Sequence, residues 1–212
     1  MTDRSTGAGD RADHWDSAYQ DRGTHGVSWF QPDPTVSMEL IEMLGVSTDD
    51  AVIDVGGGAS LLVDSLIGRG WSDVTVLDIS HTALEAARER LGSDAPVTWL
   101  DQDLLTWSPE RHYGLWHDRA VFHFLVDAAE RETYLRVLRA AVAPGGSVIL
   151  ATFASDGPEY CSGLPVVRYS AEDLATILAG TDFEVVESRC EEHTTPGGAV
   201  QPFTWVAGRA TR

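Results

Sequence analysis

Residues 51–60, with the sequence AVIDVGGGAS, carry the clearest structural signal in this 212-residue chain. Apolar residues lead into one acid, Asp54, and then into three glycines at 56–58. This pattern predicts a buried parallel strand that ends in a tight turn, followed by a helix with Leu62 and Leu66 on one face. Glycine has no Cβ, so the turn can take positive φ and a ligand can come close to the backbone. The free N–H groups at the start of the helix would point at that ligand.

The spacing of the three glycines argues against a dinucleotide fold. A dinucleotide-binding turn has the pattern G-x-G-x-x-G, which, counted from Gly56, requires a third glycine at position 61. Leu61 occupies that position, and an acid two residues before the first glycine is not part of the pattern either. A nicotinamide oxidoreductase is therefore the least favoured of the functions that we consider.

Strands and helices are predicted to alternate along most of the chain. The predicted strands cover residues 51–55, 74–78, 97–100, 113–116, 147–153, 183–190 and 200–208. The predicted helices cover residues 10–22, 34–44, 59–69, 81–91, 128–142 and 170–179. The alternation predicts a parallel sheet with helices on both faces, and the two successive strands at the end predict one antiparallel strand at an edge.

The composition narrows the class of partner. The chain has 33 acidic residues against 15 basic ones, which gives a formal net charge of −18 and disfavours nucleic acid and anionic membrane surfaces. We expect no transmembrane span and no signal peptide, because no apolar run approaches about 18 residues. Cys161 and Cys190 are too few and too far apart for a disulfide framework or a C-x-x-C metal site. We therefore expect the cytoplasm as compartment and no catalytic metal.

Four segments of the chain together resemble the class I methyltransferases that depend on S-adenosylmethionine (SAM). Residues 54–58 look like motif I, the glycine turn that passes under the methionine part of SAM, and residues 77–79 look like motif II. Residues 103–104 look like the adenine motif, and Pro144-Gly145-Gly146 looks like the turn before the fifth strand. The chain departs from motif I at Ser60, where many members carry a third glycine. The combination is much more specific than any single motif.

The resemblance covers most of residues 10–208 and carries implications for fold and cofactor. It implies an α/β, Rossmann-like, doubly wound sheet of seven strands, mostly parallel with an antiparallel last strand, and with helices on both faces. It also implies SAM as methyl donor and S-adenosylhomocysteine as product. We expect residues 1–9 to be disordered and residues 10–212 to form a single methyltransferase domain, in which residues 10–45 are a helical lid segment.

Two strand ends supply candidate acids for the nucleoside of the cofactor. Asp78 ends the second predicted strand, where a carboxylate can accept both hydroxyl hydrogens of a ribose. Asp103 follows the third strand, where the family carries an acid that takes the adenine amino group. Asp101 is the competing candidate for adenine. The apolar pair that follows Asp103 favours Asp103.

Further cofactor contacts are implied by the family resemblance. Residues 15–19 are similar to a segment that covers SAM in several small-molecule methyltransferases, which makes Tyr19 a candidate contact of the methionine carboxylate. Packing of Trp15 and Trp29 between this segment and the body is an equally favoured role for those two side chains. The candidate cofactor contacts are Tyr19, Trp29, Asp54, Gly56, Gly57, Gly58, Asp78, Ile79, Asp103, Leu104, His117 and Asp118.

The fourth strand is followed by His117, Asp118, Arg119 and His123, where the family places groups that face the methyl donor. Imidazole titrates near neutral pH, so His117 or His123 is a candidate general base. The alternatives are a cofactor-shell role for His117 and packing beside Phe122 and Phe124 for His123. Arg119 is a candidate catalytic residue that could hold an anionic substrate through two hydrogen bonds, or it could form a structural salt bridge.

Loop 154–169 follows the fifth strand, on the face where loops usually contact substrate. Methyl transfer from a sulfonium needs no covalent enzyme intermediate, so a buried inert thiol is favoured over a nucleophile for Cys161. His193 either faces the pocket or caps the end of a strand. The candidate substrate contacts are Arg119, Phe122, Cys161, Arg168, Tyr169 and His193.

The sequence therefore predicts a SAM-dependent methyltransferase that acts on an O, N or S nucleophile of a small molecule by direct in-line displacement. The sulfonium is already a strong electrophile, so the protein would mainly align the reactants and exclude water. Two alternatives remain at this point: a protein (lysine) methyltransferase on the same fold, and a SAM-binding protein without turnover.

Overall fold

The computed structural model describes residues 8–212. The disorder predicted for residues 1–9 therefore falls largely outside the described residues, while Ala8 already begins the first helix. The helices are α1 (Ala8–Arg22), α2 (Thr35–Met43), α3 (Leu62–Gly68), α4 (His81–Leu91), α5 (Ala128–Ala141) and α6 (Ala171–Ala179). Phe122–Phe124 form one turn of 3-10 helix. No helix in this part of the chain combines the length and the apolar character that crossing a membrane requires.

Seven strands form one sheet, as predicted. The strands of the chain are β1 (Val52–Val55), β2 (Val74–Asp78), β3 (Val97–Asp101), β4 (Tyr113–Arg119), β5 (Val142–Phe153), β6 (Tyr160–Cys161), β7 (Leu164–Pro165), β8 (Phe183–Thr194) and β9 (Val200–Ala210). The order in the large sheet is β3-β2-β1-β4-β5-β9-β8. Strands β1 to β5 pair in parallel, and β9 is antiparallel to both of its neighbours. The antiparallel last strand thus lies beside the edge strand β8.

Several boundaries differ from the sequence prediction. Strand β4 runs to Arg119 rather than to residue 116, so His117, Asp118 and Arg119 belong to the strand instead of following it, and β8 runs to Thr194 rather than to residue 190. Helix α3 begins at Leu62 rather than at residue 59, and Ser60 Oγ accepts a hydrogen bond from the Leu62 N–H at 3.1 Å. Strand β5 begins at Val142 and contains Pro144-Gly145-Gly146, because the pairing with β4 shifts register there. Loop 154–169 contains the short β6–β7 hairpin.

The sheet is covered on both faces, as the apolar strands require. Tyr134 and Leu138 of α5 belong to the buried cluster on one face, together with Trp116 of β4. Leu40 of α2 belongs to the cluster on the other face, together with Leu115 of β4. Neighbouring residues of β4 therefore point to opposite faces, and this alternation decides where the polar residues at the end of β4 go.

Candidate active site

A cavity lies at the carboxyl ends of the strands, the expected position of a ligand in an open parallel sheet. We call it the main cavity. Its lining residues are Arg11, Trp15, Tyr19, Trp29, Val55, Gly56, Leu77, Asp78, Ile79, Gln102, Asp103, Leu104, Leu105, Arg119, Ala120, Val121, Phe124, Leu125 and Cys161. A smaller side cavity adjoins it and is lined by Tyr19, Thr24, Val27, Trp29, Phe30, Gln31, Gly56, Gly57, Ala59, Ser60 and Arg119.

The glycine turn after β1 is required by its protein neighbours as well as by close approach of a ligand. Gly56 has φ of +65°, and a Cβ atom there would overlap Cγ2 of Val121. A Cβ atom on Gly57 would lie 2.5 Å from Oδ2 of Asp54. Both positions therefore exclude side chains, and the turn holds Gly56 on the lining of both cavities.

Asp78 lies where the sequence predicts it, at the end of β2 and on the lining of the main cavity. Its Oδ1 atom accepts a hydrogen bond from the Ser80 N–H at 2.8 Å. Burial raises the pKa of Asp78 to about 7, and the nearby Asp54 carboxylate also raises it, whereas the Ser80 hydrogen bond lowers it. A carboxylate in this position can accept hydrogen bonds from a polyol.

Asp103 and Asp101 are separated by their position relative to the main cavity. Asp103 lines the cavity, and its Oδ2 atom accepts a hydrogen bond from Arg11 Nη2 at 2.6 Å. The side chain of Asp101 is 46% exposed, lies outside both cavities, and contacts Nδ1 of His81 at 2.8 Å. The position of Asp103 supports its choice as the adenine acid.

Helix α1 covers the main cavity. Asp16 holds the helix to the start of α4, because its carboxylate accepts hydrogen bonds from Ser80 Oγ at 2.7 Å and from the Thr82 N–H at 2.9 Å. Trp29 Nε1 donates to the hydroxyl of Tyr19 at 3.1 Å. Burial and the Asp78 carboxylate raise the pKa of Tyr19, so its hydroxyl stays protonated at neutral pH. The side chains of Trp15, Tyr19 and Trp29 thus cover the main cavity.

Arg119 reaches the main cavity from the end of β4. Its Nη1 atom donates to the Trp29 carbonyl at 2.9 Å, and its guanidinium carbon lies 4.5 Å from the centre of the Phe203 ring. The Nε and Nη2 atoms are buried and have no hydrogen-bond partner among the residues that the structure describes. Burial lowers the pKa of Arg119 to about 10, so the group remains a cation at neutral pH.

His117 lines neither cavity, so the structure does not place it where its candidate roles as base and as cofactor contact require. The side chain is 3% exposed and points from β4 toward α2. Its Nδ1 atom lies 2.7 Å from Oδ1 of Asp54, and its Nε2 atom lies 2.9 Å from Oγ of Ser37. Both ring nitrogens are therefore engaged. Asp54 likewise lies beneath the glycine turn and not on the lining of either cavity.

His123 and Asp118 are also placed away from the cavities. His123 is fully buried and accepts a hydrogen bond from the Phe153 N–H at Nδ1, 3.3 Å away. Burial and the charge of Arg119 lower the pKa of His123 to about 3, which makes it a poor base at neutral pH. Asp118 accepts hydrogen bonds from the Tyr134 hydroxyl at 2.6 Å and the Val121 N–H at 2.8 Å. It therefore shapes the turn after β4.

Of the other candidate substrate contacts, Cys161 alone lines a cavity in the described part of the chain. Burial raises the pKa of the Cys161 thiol to about 11, which agrees with an inert thiol. Phe122 and Tyr169 pack in the core, with ring centres 5.4 Å apart. Arg168 donates to the Gly157 carbonyl, and His193 Nε2 donates to the Ser28 carbonyl at 2.8 Å.

Some lining residues were not predicted. Arg11 lies four residues before Trp15, which in turn lies four residues before Tyr19, so the predicted helix already placed all three on one face. That spacing could have identified Arg11. No sequence signal identified Gln102 or Phe124. Gly58 lines neither cavity, but a Cβ atom there would lie 2.8 Å from Oδ2 of Asp78.

Comparison with known proteins identifies a domain family for the central part of the chain. Residues 52–146 match a family described as a methyltransferase domain. Malonyl-[acyl-carrier protein] O-methyltransferase 2 of Ilyobacter polytropus is 20% identical over 137 residues, covering 62% of this chain and 52% of that protein. The eEF1A lysine and N-terminal methyltransferase of Mus musculus is 27% identical over 142 residues, covering 65% of this chain and 20% of that protein. The chain spans about half the length of the first relative and a fifth of the second.

Solved structures share the fold over nearly the whole chain. The 1,6-didemethyltoxoflavin-N1-methyltransferase of Burkholderia thailandensis, with bound 1,6-didemethyltoxoflavin and S-adenosylhomocysteine, has a TM-score of 0.73 at 18% identity. That match covers 100% of this chain and 94% of the other. The N-methyltransferase NodS from Bradyrhizobium japonicum, in complex with S-adenosylhomocysteine, has a TM-score of 0.70 at 17% identity, covering 94% of this chain and 100% of the other. At these identities the likeness establishes the fold.

Proposed function

We propose that this chain is a class I SAM-dependent methyltransferase and that it transfers the methyl group of SAM to an O, N or S nucleophile of a small molecule. One observation carries the proposal. One covered cavity is lined by Gly56 of the glycine turn, by two acids, Asp78 and Asp103, on one side of that turn, and by a buried cation, Arg119, on the other side. This arrangement suits a bound nucleoside with a reacting group beyond it.

The lining residues provide suitable partners for each part of SAM. Asp78 would accept hydrogen bonds from the ribose hydroxyls, and Asp103 would accept one from the adenine amino group, beside the apolar Ile79 and Leu104. The methionine part would lie over Gly56, below Tyr19 and Trp29. When bound, SAM supplies an electrophilic methyl group on a sulfonium. The chain contributes alignment of the reactants and exclusion of water.

The chemistry of the acceptor is limited by the bases that the cavity offers. No histidine of the described residues lines the main or the side cavity. The Tyr19 hydroxyl, with its raised pKa, is not a base at neutral pH. The two lining acids, Asp78 and Asp103, are assigned to the nucleoside in this proposal. We therefore expect an acceptor that is already nucleophilic when it binds, such as an amine, a thiolate or an ionised hydroxyl, so that alignment alone suffices.

A small acceptor is favoured over a protein by the covering of the cavity. Trp15, Tyr19 and Trp29 lie over it, and Trp15 packs against Phe124 with ring centres 4.9 Å apart. A folded protein substrate would require an open mouth. The likeness to the eEF1A lysine and N-terminal methyltransferase keeps a protein methyltransferase as the second candidate. A protein that binds SAM without turnover is the third.

Two measurements test the proposal. Calorimetry with the purified chain should detect binding of SAM and no binding of NADH; binding of NADH alone would refute the proposal.

In the second measurement, tritiated SAM is incubated with the chain and either a metabolite extract or denatured lysate. We expect label in small molecules. Label in protein bands would support the protein methyltransferase, and label in neither, with SAM bound, would support a non-catalytic SAM-binding protein.

We also propose the cytoplasm as the compartment, on the grounds of cysteine usage. Cys161 and Cys190 are both free thiols in the structure. Free thiols persist in reducing compartments and are often oxidised elsewhere. Fractionation of cells that express a tagged chain tests this proposal, and recovery in an oxidising compartment would contradict it.

A further inference from the structure

Arg119 is a buried cation that lacks a counter-ion among the residues that the structure describes. The Nη1 group donates a hydrogen bond to the Trp29 carbonyl, while the Nε and Nη2 groups have no hydrogen-bond partner in that part of the chain. None of the ion pairs within residues 8–212 includes Arg119. Burial of an unpaired charge carries a large desolvation penalty, so such groups in proteins usually have a partner.

The acid whose charge acts on Arg119 is hydrogen-bonded to other donors. The charge of Glu191 acts on Arg119 and raises its pKa against the effect of burial. However, the two oxygens of Glu191 accept hydrogen bonds from Gln31 Nε2 at 2.7 Å and from Trp205 Nε1 at 2.8 Å. The carboxylate is therefore oriented by neutral groups and forms no hydrogen bond with the guanidinium. The Nε and Nη2 edge stays available, and that edge matches two oxygens of one carboxylate or phosphate.

The position of the guanidinium points to the acceptor rather than to the nucleoside. Arg119 ends β4, and its side chain extends over Phe203 of β9, which lies beyond β5 in the sheet. Asp78 ends β2, which lies on the opposite side of β1 and its glycine turn. The unpaired cation and the candidate ribose acid therefore occupy opposite ends of the main cavity. Phe203 below the guanidinium supports it through a cation–π contact.

We infer that the methyl acceptor is an organic anion whose carboxylate or phosphate group binds the Nε and Nη2 edge of Arg119. The inference rests on the proposed function and adds the chemical class of the substrate. In this role Arg119 determines specificity, because a neutral acceptor would leave the buried cation unpaired. The methionine carboxylate of SAM is a second possible source of the same chemistry, because Arg119 also lines the side cavity next to Gly56.

Ligand binding separates these two sources. The variant Arg119→Met removes the charge and keeps the length of the side chain, and Arg139→Met, on the surface of α5, is the matched control. Binding of S-adenosylhomocysteine and of 5′-methylthioadenosine, which lacks the amino-acid tail, is measured by calorimetry for both variants. We expect Arg119→Met to change both affinities by less than about 3-fold. A loss of about 30-fold or more for S-adenosylhomocysteine, with 5′-methylthioadenosine unaffected, would assign Arg119 to the methionine carboxylate and overturn the inference.

Turnover provides the positive test. Tritiated SAM is incubated with a metabolite extract, and the labelled products are separated by anion exchange. We expect the label in the retained, acidic fraction, and a decrease of about 100-fold with Arg119→Met, of smaller size with Arg119→Lys, and none with Arg139→Met. Label in the unretained fraction, or full activity of Arg119→Met, would overturn the inference.

A probe without turnover keeps the inference testable if the proposed function fails. The melting temperatures of the natural chain and of Arg119→Met are measured with added benzoate or inorganic phosphate, and with chloride as the ionic-strength control. We expect at least one of the two anions to raise the melting temperature of the natural chain but not that of Arg119→Met. A response without any methyl transfer would refute the proposed function and leave the anion site standing. The absence of a difference between the two chains would overturn the anion site itself. Arg119→Met should remain folded, because it removes an unpaired buried charge.

Discussion

The two ends of the main cavity differ in how the protein satisfies its own charges. At the nucleoside end, Asp78 accepts a hydrogen bond from the Ser80 N–H, and Asp103 is paired with Arg11. At the acceptor end, Arg119 keeps two buried donors without partners in the described part of the chain. The first end is thus preorganised by contacts within the protein, whereas we propose that a ligand completes the second. The difference explains why the donor is easier to infer from this chain than the acceptor.

The largest effect is expected at the nucleoside end, from Asp78→Asn. This substitution keeps the shape of the side chain but replaces a charged acceptor of two ribose hydroxyls by an amide. We expect the affinity for SAM to fall by about 100-fold or more, because hydrogen bonds to a charged group contribute about 1.5–3 kcal/mol each. Calorimetry measures the change.

Asp101→Asn serves as the comparison for Asp78→Asn. Asp101 lies outside both cavities, so we expect its replacement to change the affinity for SAM by less than about 3-fold, in line with a partly exposed pair to His81. If Asp101→Asn lowered the affinity for SAM more than Asp78→Asn does, the assignment of SAM binding to the acids that line the cavity would be contradicted.

The glycine turn should be the most sensitive part of the backbone at this end. A Cβ atom on Gly56 would overlap Val121, and its φ of +65° disfavours other residues. We expect Gly56→Ala to lower the free energy of unfolding by about 3 kcal/mol, measured by urea denaturation. Gly68→Ala is the control, because a Cβ atom there has no neighbour within 4 Å and φ is not positive. Equal effects of the two substitutions would contradict the role of the turn.

The affinity for SAM should depend on pH through Asp78. Burial raises the pKa of Asp78 to about 7, so the free protein holds a proton on this group below pH 7. Ribose hydroxyls bind the ionised form, so that proton must leave on binding. We therefore expect the affinity to fall by about 5-fold between pH 7 and pH 6 and to level off above pH 8. Calorimetry in two buffers of different ionisation enthalpy measures the released proton; a pH-independent affinity would contradict the role of Asp78.

The acceptor end is tested by alkylation of the cysteines. Cys161 is 4% exposed, and burial raises the pKa of its thiol to about 11, whereas Cys190 is exposed. We expect iodoacetamide at pH 8 to modify Cys190 at least about 10-fold faster than Cys161, because the thiolate is the reactive form. Peptide mass spectrometry gives both rates in one sample. Faster modification of Cys161 would reveal an open, solvated acceptor end.

Much of the nucleoside end could be predicted from the sequence. The turn at 56–58 follows β1 directly, Asp78 ends β2, and Asp103 lies two residues after the end of β3. The carboxyl ends of parallel strands meet at one edge of a sheet. The periodicity that predicted β1 and β2 therefore also placed these residues. The same periodicity predicted helix 10–22, whose face carries Arg11, Trp15 and Tyr19 to the cavity.

The side chains of β4 show what sequence patterns could not decide. His117 and Arg119 are two residues apart and point to the same face of the sheet. His117 lies deep under α2 and is held by Asp54 and Ser37, whereas Arg119 lies at the strand end and extends into the cavity. Whether a side chain of β4 is covered or reaches the cavity depends on where helix α2 packs on the sheet. The local sequence of β4 carries no information about that packing.

By itself, the sequence determined the order and type of the helices and of the seven strands of the large sheet, and the strand ends at or near which Asp78 and Asp103 lie, because these follow from local apolar periodicity and from the position of glycine. Only the tertiary structure decided that Arg119 faces the cavity without a partner in the described residues, while Arg168 and His193 bind backbone carbonyls elsewhere. The physical reason is that a strand end is a local property of the chain. The partner of a long polar side chain depends on residues that are distant in sequence and meet only in the fold.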